Sequence, residues 1–301
     1  MKCPLCESKK VIKLETIKKN DLINLYQKMT DIDFGYLINQ DIDYCECQEC
    51  KLRYFDPLVS GDEKFYNALQ KFEWYYMDEK EEYVYAKEYI KATDKVLEVG
   101  SGKGAFAKHI GANNYIGLDF SENAKKMAAE NGITIENEMI QDYAENHKEE
   151  FDVVVSFQVL EHVSDPKSFI ESKLQALKVG GKLIIAVPSE DSFLKYVNNG
   201  ILNMPPHHVT RWCDKTFKYI ADTYNLTIET IYHERVQGVH KKLYLNTFIA
   251  NSFSKNKLIN TSLTQKIKNK FASLISKFLY KGLKEELLPN GHTVLVVFDK
   301  K

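Results

Sequence analysis

Long hydrophobic runs are missing: nowhere in the 301 residues do the ~18 consecutive apolar residues of a membrane-spanning helix occur. An excess of one charge is missing too. The chain carries 41 Lys and Arg against 42 Asp and Glu, so no global field draws it to nucleic acid. The opening MKCPLCESKK lacks the apolar core of a secretory signal. These absences point to a soluble protein, with the cytoplasm as the expected compartment. There is no internal repeat and no low-complexity tract. Cysteine is nearly missing beyond residue 50, where only Cys213 occurs among six in all. What is present, 44% hydrophobic residues, suffices for a full core and an appended module.

The other five cysteines crowd into the first 50 residues. In a reducing compartment such clustering indicates metal ligands rather than disulfides. CPLC (Cys3, Cys6) and CQEC (Cys47, Cys50) are two CxxC knuckles, each able to aim two thiolates at one tetrahedral Zn2+. Four sulfur ligands leave no open position, so the zinc is expected to be structural. Cys45 is out of register and reads as a bystander, and the span between the knuckles exceeds that of an ordinary zinc ribbon. Residues 1–60 carry nine basic and ten acidic side chains, so no nucleic-acid partner is expected.

After this zinc-binding module (1–60), residues 61–92 are dense in aromatics and charge and read as a helical lid or linker. From Asp94 strand and helix alternate: KVLEVG, AFAKHI, YIGLDF, ENAKKMAAENG, ITIE, FDVVVSF, DPKSFIESKLQALKVGG and KLIIAVP. Short apolar runs separated by helices predict an α/β fold with a mostly parallel sheet covered on both faces. A helix near 215–224 and the strand LTIETIYHE follow. Residues 240–290 read as a helical insertion, and HTVLVVFD as a last strand rejoining the sheet.

VLEVGSGKGAFA sits at a strand-to-helix junction, where Gly100, Gly102 and Gly104 permit a sharp turn and close approach of a ligand. A glycine loop alone also suits a dinucleotide. Glu98, however, puts a carboxylate where an ammonium group fits better than a pyrophosphate. Asp119 ends the next strand, where a carboxylate can accept from both ribose hydroxyls. VLEVGSGKG, IGLDFS, FDVVVSFQVLEHV and LKVGGKLIIAVPS resemble, in order and spacing, the motifs of class I S-adenosylmethionine-dependent methyltransferases. They look most like the branch of ubiquinone-pathway O-methyltransferases and many small-molecule and sugar methyltransferases.

The resemblance implies a Rossmann-like seven-stranded sheet with an antiparallel last strand, built from 93–239 and 291–301. It implies S-adenosylmethionine as cofactor, with Glu98 and the Gly100–Gly104 loop at the methionine end. Asp119 then holds the ribose, Phe120 lies beside the adenine, Asp142 takes the adenine amino group and Gln158 lines the pocket. In the ubiquinone-type enzymes the motif after the fourth strand supplies two carboxylates and a histidine to a divalent metal. Here Gln158 replaces the first carboxylate ahead of Glu161 and His162, which weakens a hard-cation site.

Without a metal, His162 is a candidate general base near neutral pH. LNMPPHHVTRW, following the fifth strand, adds His207 and His208 as bases, with Arg211 and Trp212 as a cation and a stacking face for the acceptor. Such loops occur in the same branch, often beside surface-polysaccharide genes, which makes a sugar-containing small molecule the expected acceptor. Tyr75 and Tyr76 are further substrate-side candidates, able to cover the cofactor and meet its sulfonium by cation–π contact. O-methylation is the leading reading. Nucleotide-sugar C-methylation and a non-catalytic S-adenosylmethionine-binding scaffold are the alternatives. Residues 255–284 hold eight lysines and no acid, with Ile267, Phe271, Leu274, Ile275, Phe278 and Leu279 on one helical face. That face is expected to pack on the domain or a second subunit; peripheral contact of 266–284 with an anionic membrane is the other reading.

Overall fold

The structure is a computed structural model that describes residues 1–30, 32–69, 79–111, 114–251 and 257–301. The N-terminal segment forms β1 (Val11–Ile17), α1 (Lys19–Thr30), β2 (Ile42–Cys47) and β3 (Arg53–Asp56). Helices α2 (Glu63–Leu69) and α3 (Glu81–Lys87) follow, with 70–78 outside the described residues. The alternation then runs β4 (Val96–Val99), α4 (Ala107–Ile110), β5 (Tyr115–Leu118), α5 (Glu122–Ala129), β6 (Ile135–Glu136), α6 (Ile140–Asn146), β7 (Phe151–Phe157), α7 (Pro166–Ala176) and β8 (Leu177–Pro188). Next come β9 (Thr210–Arg211), α8 (Asp214–Tyr224), β10 (Leu226–Arg235), α9 (Lys241–Asn251), α10 (Leu263–Leu279) and β11 (Asn290–Lys300).

The main sheet has seven strands in the order β10-β11-β8-β7-β4-β5-β6. The pairs from β6 to β8 are parallel, and β11 runs antiparallel to both of its neighbours. The expected seven-stranded sheet with an antiparallel last strand is therefore present. Its apolar runs divide by strand parity. Leu97, Val99 and Val154 join one core with Tyr143 and Ile170, whereas Val96, Val153 and Val155 join the other with Phe106 and Ala128. A strand with no polar face can sit only between two helical layers. Because β5 and β6 lie on one side of β4 while β7 and β8 lie on the other, the topological switch point, where such sheets bind ligands, falls at the carboxyl ends of β4 and β7.

Local signals set several boundaries. Asp165 caps α7 by accepting from Ser168 N, with Pro166 in the first turn. The helix read through LKVGG stops earlier, at Ala176, because Leu177 already pairs with Phe151 as a strand. ITIE contributes only a two-residue strand.

A second sheet, β1-β2-β3-β9, explains the long span between the cysteine knuckles. The span holds α1, whose Leu22 and Tyr26 are buried against Phe34 and Phe65. Strand β9 comes from the loop after β8, and Arg53 and Tyr54 pair there with Arg211 and Thr210. Tyr26 Oη also donates to Ile201 O at 2.6 Å and Met204 O at 3.0 Å. The cysteine-bearing module is thus joined to the loop that carries His207 and His208.

In the insertion, α10 packs on α9 through a small, polar face of Gln265, Ala272 and Ser276. Ser276 Oγ donates to Asn246 Oδ1 at 2.8 Å, and Gln265 Nε2 to Asn251 Oδ1 at 3.2 Å. The expectation that the apolar face packs on the domain is corrected: Ile267, Phe271, Leu274 and Phe278 are 57–76% exposed. Small side chains let the two helices approach closely, and the bulky row points outward.

Candidate active site

The turn after β4 is built by its glycines. Gly100, Gly102 and Gly104 all adopt positive φ (77°, 52° and 73°). A Cβ on Gly100 would lie 2.3 Å from Val159 Cγ2, so the chain after β7 closes directly on this residue. Gly100 N and Ser101 N donate to Leu118 O at 2.8 and 3.0 Å. Asp119 then clamps the turn: Gly102 N donates to Oδ2 and Ser121 N to Oδ1, each at 2.8 Å. A carboxylate has about four acceptor sites, so two such bonds leave capacity for ligand hydroxyls. Burial pushes the Asp119 carboxyl up from its ordinary range. Phe120 is 61% exposed beside it, and Asp142 is exposed in the first turn of α6.

Glu98 is buried at the end of β4, where Tyr115 Oη donates to it. Burial raises its carboxyl to about 8, against the opposing effects of Tyr115 and Lys80. Gln158 leaves β7 with φ of 57°, and its N–H donates to Ala186 O at 2.8 Å. Its Nε2 faces Glu82 Oε1 at 3.3 Å and Thr293 Oγ1 at 3.2 Å. Its Nε2 is used in these bonds, and the neutral amide oxygen that remains is a weaker ligand for a hard cation than the carboxylate it replaces.

Four residues beyond Gln158, His162 meets His207 and His208 from the loop after β8. The rings of His162 and His207 lie 4.6 Å apart, those of His162 and His208 4.7 Å, and those of His207 and His208 stack at 4.5 Å. Each Nδ1 faces an acceptor: His207 O at 2.6 Å from His162, Leu202 O at 2.8 Å from His207, and Asn203 Oδ1 at 3.1 Å from His208. Carbonyl oxygens only accept, so each Nδ1 carries the hydrogen and each Nε2 presents a lone pair. Burial lowers His162 to about 4 and His207 to about 3, and drives His208 well below its ordinary value. The three rings are therefore neutral at pH 7.

Glu161 lies beneath them, 1% exposed, and neither carboxyl oxygen meets a hydrogen-bond donor among the described residues. Its Oε1 is 3.8 Å from His162 Nε2 and 3.9 Å from His208 Nε2. Burial raises it to about 8.

Two candidates for acceptor binding are corrected. Trp212 is fully buried, its Nε1 donating to Thr210 Oγ1 at 2.9 Å and its ring stacked on Phe217, so it offers no stacking face. Arg211 is 4% exposed, held by Asn203 O (2.6 Å to Nη2) and Glu190 and lying over Tyr44 and Phe55. Its charge ties the loop to the N-terminal sheet. Tyr75 and Tyr76 lie outside the described residues.

Three charged side chains and one tyrosine escaped the sequence reading. Lys80 lowers both Glu98 and Glu161 electrostatically, and Glu82 and Glu234 are buried beside Gln158 and Thr293. All three look like solvated charges in sequence, and only the packing of α3 and β10 turns them inward. Tyr66 Oη, 3.4 Å from His162 Nδ1, was hidden among the aromatics of the helical segment.

A family model described as a methyltransferase domain matches residues 70–231. Ubiquinone biosynthesis O-methyltransferases of Salmonella newport (strain SL254) and Salmonella typhimurium are each 32% identical over 170 residues, covering 51% of this chain and 68% of theirs. An S-adenosylmethionine-dependent methyltransferase structure from Archaeoglobus fulgidus aligns over 73% of this chain and 91% of its own, at 17% identity and a TM-score of 0.47. With its glycine turn, acidic strand ends and reversed last strand, the chain belongs to the methyltransferase domain family and is a class I S-adenosylmethionine-dependent enzyme.

Proposed function

We propose that this enzyme methylates a hydroxyl of a small, sugar-containing acceptor held between Gln158 and the three histidines. The observation that carries this reading is the set of neutral imidazoles with Nε2 lone pairs, one of them, His162, three residues after the Val159 that closes on Gly100. S-adenosylmethionine supplies a methyl group on a sulfonium, and its transfer needs in-line positioning more than strong acid or base. Glu98 and the Gly100–Gly104 turn suit the methionine end, Asp119 the ribose and Phe120 the adenine. Gln158, fixed by Glu82 and Thr293, separates that pocket from the acceptor side. His162, oriented through His207 O, accepts a hydrogen bond from the hydroxyl, and His207 and His208 line the acceptor side; burial lowers His162 to about 4, a weaker base than the sequence reading expected.

A labelled-methyl screen against nucleotide sugars and glycans tests the reading. Label recovered on acceptor oxygen is the expected result. Label on carbon points to C-methylation, and no labelled product with any sugar removes the sugar assignment.

Two further parts belong to the proposal. The four cysteines hold a structural Zn2+. Cys3 Sγ lies 3.5 Å from Cys50 Sγ and Cys6 Sγ 3.4 Å from Cys47 Sγ, and the four sulfurs lie within 4.8 Å of one another. Zn–S bonds of about 2.3 Å place tetrahedral sulfurs slightly under 4 Å apart, which this spacing accommodates. The exposed row Ile267, Phe271, Leu274 and Phe278 rests on an anionic membrane surface, with Lys266, Lys270 and Lys277 along one flank of the row to meet its headgroups.

A further inference from the structure

The divalent-metal site of ubiquinone-type enzymes is weakened in this chain, because Gln158 offers a neutral amide oxygen where they have a carboxylate, and its Nε2 is held by Glu82 and Thr293. The residues that remain make a different donor set. Ring nitrogens of His162, His207 and His208 lie within 4.8 Å of one another. With every Nδ1 facing an acceptor, the three Nε2 lone pairs remain available to a ligand. Glu161 adds a buried carboxylate without a hydrogen-bond donor, at 3.8 and 3.9 Å from two of those nitrogens.

Glu161 is buried with both carboxyl oxygens unpaired among the described residues, a costly state that folded proteins rarely keep. A carboxyl proton would meet at most one of the imidazole nitrogens beside it, whereas a dication meets the carboxylate and the imidazoles together. We propose that Glu161, His162, His207 and His208 form a site for one borderline transition-metal dication, with Zn2+ as the reference ion.

Imidazole-rich sets favour zinc-like ions, whereas magnesium favours carboxylate and water oxygens. Metal–nitrogen bonds of about 2.0–2.1 Å require the rings to close by roughly 1 Å from their present spacing. The outer partners are in place: each ligand ring donates its Nδ1 hydrogen to a carbonyl, which fixes the tautomer that metal binding requires. Two ligands come from the strand exit after β7 and two from the loop tied to the cysteine module, so the ion would join those two parts of the molecule. With the ion bound, His162 is a ligand and no longer a base, and the ion supplies Lewis acidity toward an acceptor hydroxyl. The site does not depend on which acceptor the enzyme uses.

Cobalt titration of the metal-stripped full chain, read by absorption and by metal content, separates this site from the cysteines. The expected result is two equivalents of Co2+. One shows thiolate-to-metal charge transfer; the other shows only weak visible bands and persists in excess Mg2+. Glu161→Gln and, separately, His208→Asn should lose the second equivalent and keep the first, whose thiolate band also reports an intact N-terminal module. The proposal is overturned if wild-type protein binds one equivalent only, if Mg2+ displaces the second, or if both variants still bind two. Should either variant fail to fold, the wild-type titration and its competition with Mg2+ decide alone.

Discussion

Glu98 is a carboxylate at the buried end of a central strand, with a carboxyl raised to about 8. Its ordinary value applies in the unfolded chain, so between roughly pH 4.5 and 8 the folded state binds the extra proton. This residue therefore makes the fold less stable as pH rises through that window. A cationic ligand group reverses the preference by favouring the ionised carboxylate. S-adenosylmethionine affinity, measured by calorimetry, should rise from pH 6 to 7.5 in the wild type. In Glu98→Gln it should stay flat and weaken ten- to a hundredfold, the equivalent of the roughly 1.5–3 kcal/mol of a charged hydrogen bond. A variant with unchanged affinity and slope removes Glu98 from the cofactor site. The places of Glu98, Asp119 and Gln158 at strand ends were legible in sequence because motif spacing ties them there. Arg211 and Trp212 were misread because a long amphipathic side chain looks the same in sequence whether it faces a ligand or a core.

The turn after β4 shows what an element demands beyond its pattern. Gly100 has φ of 77° and a Cβ there would clash with Val159; Gly180 has φ of 78° and nothing within 4 Å. Gly180→Ala should cost about 1 kcal/mol for the left-handed backbone alone. Gly100→Ala should cost about 2–4 kcal/mol, since Val159 must also move, and should impair cofactor binding. Urea unfolding of both variants measures the difference, and equal losses would show that Val159 yields freely. The strands of the main sheet were legible because each is a short apolar run bounded by turn residues. Strand β9 was not. Two residues of ordinary polarity become a strand only because β3 offers an unpaired edge.

For the molecule as a whole, the N-terminal module and the catalytic sheet share the loop around residues 200–212, and the insertion leaves an apolar row outside. Among the described residues no helix is long and apolar enough to cross a membrane, so contact through α10 would be confined to the surface. The full chain should co-sediment with phosphatidylserine-containing vesicles and not with neutral ones. Phe271→Glu combined with Phe278→Glu should abolish this without loss of melting temperature, because both rings are exposed. Failure to bind anionic vesicles, or a dimer dispersed by the same substitutions, assigns the row to a second copy instead.

The amino-acid order by itself determined the sheet class, the glycine turn after β4 and the pairing of cysteine knuckles, since these follow from periodicity and from spacing within short segments. Only the tertiary structure decided which charges are buried, which face of α10 stays bare, and that His162 meets His207 and His208. Those outcomes depend on contacts between segments far apart in the chain, and local pattern carries no information about them.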